Sequence, residues 1–161
     1  MASTAARVRD SKYEPGTLIK MFRKATVFRG EMLAAGFTDN GGAIHSAERI
    51  LDILGHRIKY PGLSHGNNLK HLRGAEFSVE ARRLYNAGGR VLIEHVAPLR
   101  HLTRMAIEKL NAGANDKQLE AFVRRHYRLV LLSPEETKAL NRHNRSAVTK
   151  DRLAEAGIKM E

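Results

Sequence analysis

Apolar residues recur at helical spacing along most of this chain, and only two short runs are β-type. This restricts the fold to helices around a very small sheet. Leu18, Phe22, Ala25, Phe28 and Met32 form one apolar line on a helix from Thr17, with Lys20, Arg23, Lys24 and Glu31 opposite and Gly36 as a stop. Thr38 or Asp39 caps a second helix that carries Ile44, Ala47, Leu51 and Leu54 inward and ends at Gly55. Pro61, Gly62, Gly66, Asn67 and Asn68 then break the period, so residues 56–74 read as a long loop with one helical turn around Leu69 to Leu72. A loop of that length in a small domain is usually functional or disordered. A third helix over 76–86 presents Phe77, Ala81 and Leu84 and stops at Gly88 and Gly89.

The run Arg90-Val91-Leu92-Ile93-Glu94-His95 is β-type and ends before Pro98. Leu99, Leu102, Ala106 and Leu110 define the next helix, closed by Gly113, and Asn115 or Asp116 opens another with Leu119, Phe122 and Val123 inward. Arg128 to Leu132 is the second short strand. Ser133-Pro134-Glu135-Glu136 is a capping box: Ser133 accepts from the Glu136 amide, Glu136 reaches back, and Pro134 occupies the first helical position. The expected class is α+β, mostly helical, with about six helices and one small two-stranded sheet. Residues 1–13 read as a flexible basic arm and 146–161 as a polar tail with one last helical turn near Leu153. Residues 14–145 form a single compact domain, or two subdomains over 14–74 and 75–145.

Charge bounds the partners. Lys and Arg number 28 against 17 acids, a net +11 in 161 residues. An excess of this size suits a polyanion, because each neutralised phosphate releases a counterion. The basic residues gather in stretches that contain no acid: Lys20 to Arg29, then Arg57, Lys59, Lys70 and Arg73, then Arg124, Arg125 and Arg128, then Lys138, Arg142, Arg145 and Lys150. No apolar run approaches a membrane span, no apolar segment follows Met1, and cysteine is absent. A cytoplasmic location and no membrane partner are therefore expected.

Arg124-Arg125-His126-Tyr127-Arg128 is the strongest candidate for phosphate contact, with guanidinium forks for phosphates and the Tyr127 ring for a base or sugar. Arg142 and Arg145 form a similar group, and Arg57, Lys59, Lys70 and Arg73 place further cations in or beside the long loop. A solvated helix end explains the Arg124 group equally well, since cations favour a helix C-terminus.

Glu94-His95 at a strand end, followed by a second strand and a helix bearing Asn141, His143 and Asn144, resembles the HNH (ββα-metal) nucleases over residues 90–145. The resemblance implies a divalent metal held by Glu94, Asn141 and His143, with His95 activating water for attack on a phosphodiester. The chain departs from that family at Glu94, where Asp or His is usual, and at Thr137 and Asn141, where metal-binding histidines stand. A helical segment also replaces the tight hairpin. The alternative is structural, with His95 bonding a carbonyl at a buried strand end and Glu94 pairing with an Arg. The leading expectation is thus a non-catalytic accessory protein that binds DNA or RNA and needs no cofactor. A metal-dependent nuclease using Glu94 and His95 is the second reading. A small inhibitor or adaptor docking on an acidic protein face is the third.

Overall fold

The computed structural model describes residues 13–63, 65–142 and 151–161. In chain order the helices are α1 (Pro15–Ala34), α2 (His45–Lys59), α3 (Val79–Asn86), α4 (Leu99–Asn111), α5 (Asp116–His126), α6 (Pro134–Arg142) and α7 (Arg152–Glu155). A wide turn covers Asp39–Ala43, a 3₁₀ turn covers Gly66–His71, and the strands are β1 (Leu92–His95) and β2 (Leu129–Leu132). The class is α+β and mostly helical as expected, with nine helical segments among the described residues rather than about six. The three added segments are short, Asp39–Ala43, Gly66–His71 and Arg152–Glu155, and the sequence marks the last two only as single turns near Leu69 and Leu153. Two compact units result, one over 13–62 and 102–126, the other over the described residues of 63–101 and 127–161. Each is built from two stretches of chain, so no single cut, at residue 74 or elsewhere, separates them.

In the first unit α1 and α2 pack together and α5 lies against both. Their apolar lines supply the core: Leu18, Ile19 and Phe22, then Ala47, Leu51, Leu54 and Ile58, then Leu119, Phe122 and Val123. The second helix does not stop at Gly55. Gly55 is buried within it, and the helix continues to Lys59 because Ile58 is itself buried. Burying an Ile contributes about 1.5–3 kcal/mol, more than the roughly 1 kcal/mol that a helical Gly costs. The turn before α2 is polar and tightly tied. Thr38 Oγ accepts from the Gly41 amide at 3.0 Å, and Gly42 takes φ +107°, a conformation that favours glycine. Asp39 in this turn accepts from Arg29 of α1 at 2.8 and 3.0 Å and from Arg104 of α4 at 2.9 Å. These guanidinium donors, the Arg29 hydrogen bond foremost, hold its carboxyl at about 2.

The second unit is organised on β2, whose four residues are all buried, as an unbroken apolar strand requires. On one side β1 pairs with it antiparallel, His95 opposite Leu129 and Glu94 opposite Val130. On the other side the segment before α3 runs parallel to it, with Ser78 N–H donating to the Leu131 carbonyl and Leu131 N–H to the Glu76 carbonyl. The expected third helix therefore starts at Val79, because residues 76–78 are extended. Ser78 caps it by accepting from the Ala81 amide at 2.9 Å.

The Ser133 capping box forms as read: Glu136 N–H donates to Ser133 Oγ at 3.1 Å and Ser133 N–H to Glu136 Oε2 at 2.9 Å. The same Oε2 accepts from Ser78 Oγ at 2.5 Å, so one carboxylate serves the N-termini of α3 and α6. The turn expected near Leu153 forms as α7, but the C-terminal residues are more than a polar tail. Arg152, Leu153 and Ile158 are buried, and Leu153 and Ile158 join Val130, Leu132 and Leu140 in one core cluster. Val79 N–H donates to the Lys159 carbonyl and Glu161 N–H to the Phe77 carbonyl, which adds a further extended segment. The rest of the expected tail, 146–150, and the arm over 1–12 lie outside the described residues.

Candidate nucleic-acid interface

Pairing divides the cations into two groups. Arg23, Arg29, Arg49, Arg82, Arg83, Arg104, Arg124, Arg128 and Lys138 each face a carboxylate. Lys20, Lys24, Lys70, Arg73, Lys109, Arg125 and Arg142 have no such partner among the described residues. A cation already bound to a carboxylate must surrender that contact to take a phosphate, so the second group is the better supply.

The Arg124 group separates accordingly. Arg124 reaches Glu120 at 3.1 Å and the Ile58 carbonyl at 3.4 Å, while Lys59 donates to the Arg124 carbonyl at 3.0 Å. These cations bind backbone carbonyls at the C-terminal ends of α2 and α5, where the helix dipole favours them. The Arg57 guanidinium lies 5.7 Å from the centre of the Tyr13 ring. Arg128 forms a forked pair with Glu76, at 2.7 to 3.1 Å. Tyr127 is fully buried, which corrects its expected role, because no base reaches the face of a buried ring.

Arg125 is different. It lines an open pocket of about 490 Å³ in the first unit together with Lys109, Gln118, Phe122 and His126. The Lys109 ammonium stands 5.4 Å from the centre of the Phe122 ring, and the His126 ring lies 4.7 Å from it. Burial, then the neighbouring Arg125 and Lys109 charges, push the His126 pKa down. Two permanent cations, an imidazole and an amide around an aromatic wall suit a phosphate oxygen. The apolar period of α5 predicts Phe122 inward, but no local pattern brings Lys109 of α4 to Arg125. That meeting depends on how the helices pack.

In the second unit His95 Nε2 lies 3.3 Å from Tyr127 Oη, with the two rings edge to face at 5.5 Å. Arg152 donates to the His95 carbonyl at 3.1 Å and the Val96 carbonyl at 3.3 Å. Both Glu94 and His95 are half-buried. Asn141 sits in the last turn of α6, half-buried, and α6 packs on both strands. Arg142 is exposed, as are Lys70 and Arg73 near the 3₁₀ turn, whereas His143 and Arg145 lie outside the described residues. Among the described residues no three His, Cys, Asp or Glu side chains gather where they could hold a metal.

No family model matches the chain, and no curated protein or solved structure gives a significant match to it.

Proposed function

We propose that the protein binds nucleic acid without catalysis, gripping the phosphate backbone through the pocket formed by Lys109, Arg125 and His126. One observation carries the reading: these cations converge on an open pocket with no carboxylate among the described residues to neutralise them. The net charge of +11 supplies the long-range attraction, and the pocket supplies a place for it to act. Lys70, Arg73 and Arg142 offer further phosphate contacts. Titration of a mixed-sequence oligonucleotide at increasing salt tests it. Log affinity should fall against log salt with a slope of roughly −2 or steeper. Lys109→Glu with Arg125→Glu should remove most of the binding while circular dichroism stays unchanged. A flat salt response, or full affinity in the double variant, refutes the proposal.

A second reading, a metal-dependent phosphodiesterase, is favoured by β1, β2 and α6, a strand pair with a helix packed across it. In that reading Glu94, Asn141 and His143 hold the ion and His95 serves as base. Plasmid incubated with Mg²⁺, Mn²⁺ or Ni²⁺ should then be nicked, chelator should stop the reaction, and His95→Ala should slow it by roughly a hundredfold without loss of affinity. The non-catalytic reading expects intact plasmid with every metal. It also expects His95→Ala to lower the melting temperature, because Tyr127 Oη loses its neighbour.

A further inference from the structure

An apolar groove in the first unit serves no purpose in phosphate binding. It measures about 480 Å³, lies on the exposed side of the α1–α2 pair, and is lined by Tyr13, Met21, Lys24, Phe28, Ile50 and Ile53. Phe28 remains 51 % exposed and Met21 40 % exposed. The apolar line read from the sequence counts Phe28 among the inward residues, yet the helix turns it toward the groove. Large apolar side chains left in water beside a cleft of this size mark an interaction site rather than ordinary surface.

The charge around the groove selects its occupant. Lys24 lines it, and Lys20 stands one turn earlier on the same face of α1. Arg49 precedes Ile50, largely exposed and already paired with Asp52 at 3.7 Å, and Arg57 lies one turn beyond Ile53 with its guanidinium over Tyr13. Glu31 is the only acid within α1, and Glu14 stands exposed at its N-cap beside Tyr13. A second copy of the chain would set this cationic rim against itself, since a two-fold interface brings the same patch to both sides. Residues 1–12 offer only Met1 and Val8 as large apolar side chains and bring Arg7, Arg9 and Lys12 to a rim already positive. A lipid surface meets convex apolar protrusions better than a cleft between helices.

We propose that this groove docks an acidic amphipathic helix of a partner protein. Its apolar residues at i, i+3 or i+4 and i+7 seat against Met21, Phe28, Ile50 and Ile53, and its carboxylates face Lys20 and Lys24. The site is independent of the phosphate pocket, so either assignment survives the failure of the other.

The test uses a capped model peptide with Leu at helical spacing and Glu and Gln elsewhere, titrated by fluorescence anisotropy. One control has the same composition shuffled out of period, and another has Lys for Glu. The periodic acidic peptide should bind at least ~10-fold tighter than either control, a difference of about 1.4 kcal/mol. Phe28→Asp should cancel the advantage while the far-ultraviolet dichroism is retained. Lys20→Glu with Lys24→Glu, both exposed and so harmless to folding, should move the preference toward the Lys peptide. Equal binding of periodic and shuffled peptides would reduce the effect to net charge and overturn the proposal. So would a wild-type dimer in sedimentation that Phe28→Asp dissolves, which assigns the groove to a second copy. Phe28-dependent binding to phosphatidylserine vesicles, with the peptide ignored, would assign it to lipid and overturn the proposal equally.

Discussion

At the scale of single residues, the same side-chain type does opposite work depending on what it meets. The stretch from Lys20 to Arg29 contains no acid in sequence, yet Arg23 pairs with Asp116 and Arg29 with Asp39 once the chain folds. Linear spacing therefore overstates how many cations are available, and it misses Lys109, whose neighbours in sequence include Glu108. Asp39 is the clearest case of a charge serving the fold. Its side chain is only 10 % exposed and joins two guanidinium groups. Its folded pKa of about 2 lies below the unfolded value of roughly 3.9, so its contribution is complete above the unfolded value. It is lost as the pH falls toward the folded one. Asp39→Asn should cost about 2 kcal/mol in urea denaturation near neutrality. The gap between wild type and variant should narrow as the pH falls from about 4 toward about 2. A gap that stays constant across that window would show that Asp39 acts by shape rather than by charge.

At the scale of elements, what the sequence announces is what local physics decides. The capping box at Ser133 needs only four consecutive residues and forms as read. The long helices and the reciprocal bonds of Asn115 and Gln118 that open α5 are equally local, and the strands, though they pair at long range, are marked by their own β-type runs. The extended segment over 76–78 and the C-terminal return are not, because their hydrogen bonds join residues far apart in sequence. Residues 158–161, Ile-Lys-Met-Glu, do alternate apolar with polar, but four residues at a chain end are too short a run to mark a strand. The buried core they close makes a sharp prediction. Leu153→Ala should destabilise the second unit by about 2–4 kcal/mol, since it opens a cavity beside Leu140 and Ile158. Lys159→Ala, an exposed position whose backbone still pairs, should change stability by less than about 0.5 kcal/mol. Equal effects in thermal melts would mean that α7 does not close this core.

At the scale of the whole molecule, binding through a general field and binding through a site make different demands on the same charges. A net +11 attracts any polyanion, and a field of that kind responds to how many charges are removed, not to which ones. Two double variants with the same change in net charge separate the cases. Lys109→Gln with Arg125→Gln removes two cations from the pocket that have no described carboxylate partner. Arg83→Gln with Lys138→Gln removes two exposed cations that pair with Glu80 and Glu135 on their own helices. Such exposed pairs are screened by water and add little to stability, so the second variant should fold like the wild type. If the pocket is the phosphate site, the first variant should lose affinity for a short oligonucleotide by roughly tenfold or more and flatten its salt dependence by up to two phosphate contacts. The second should change affinity by less than about threefold, the share owed to the field alone. Identical losses would show that the charge acts without a site. The binding reading would then survive only as attraction between a basic chain and any acidic surface it meets.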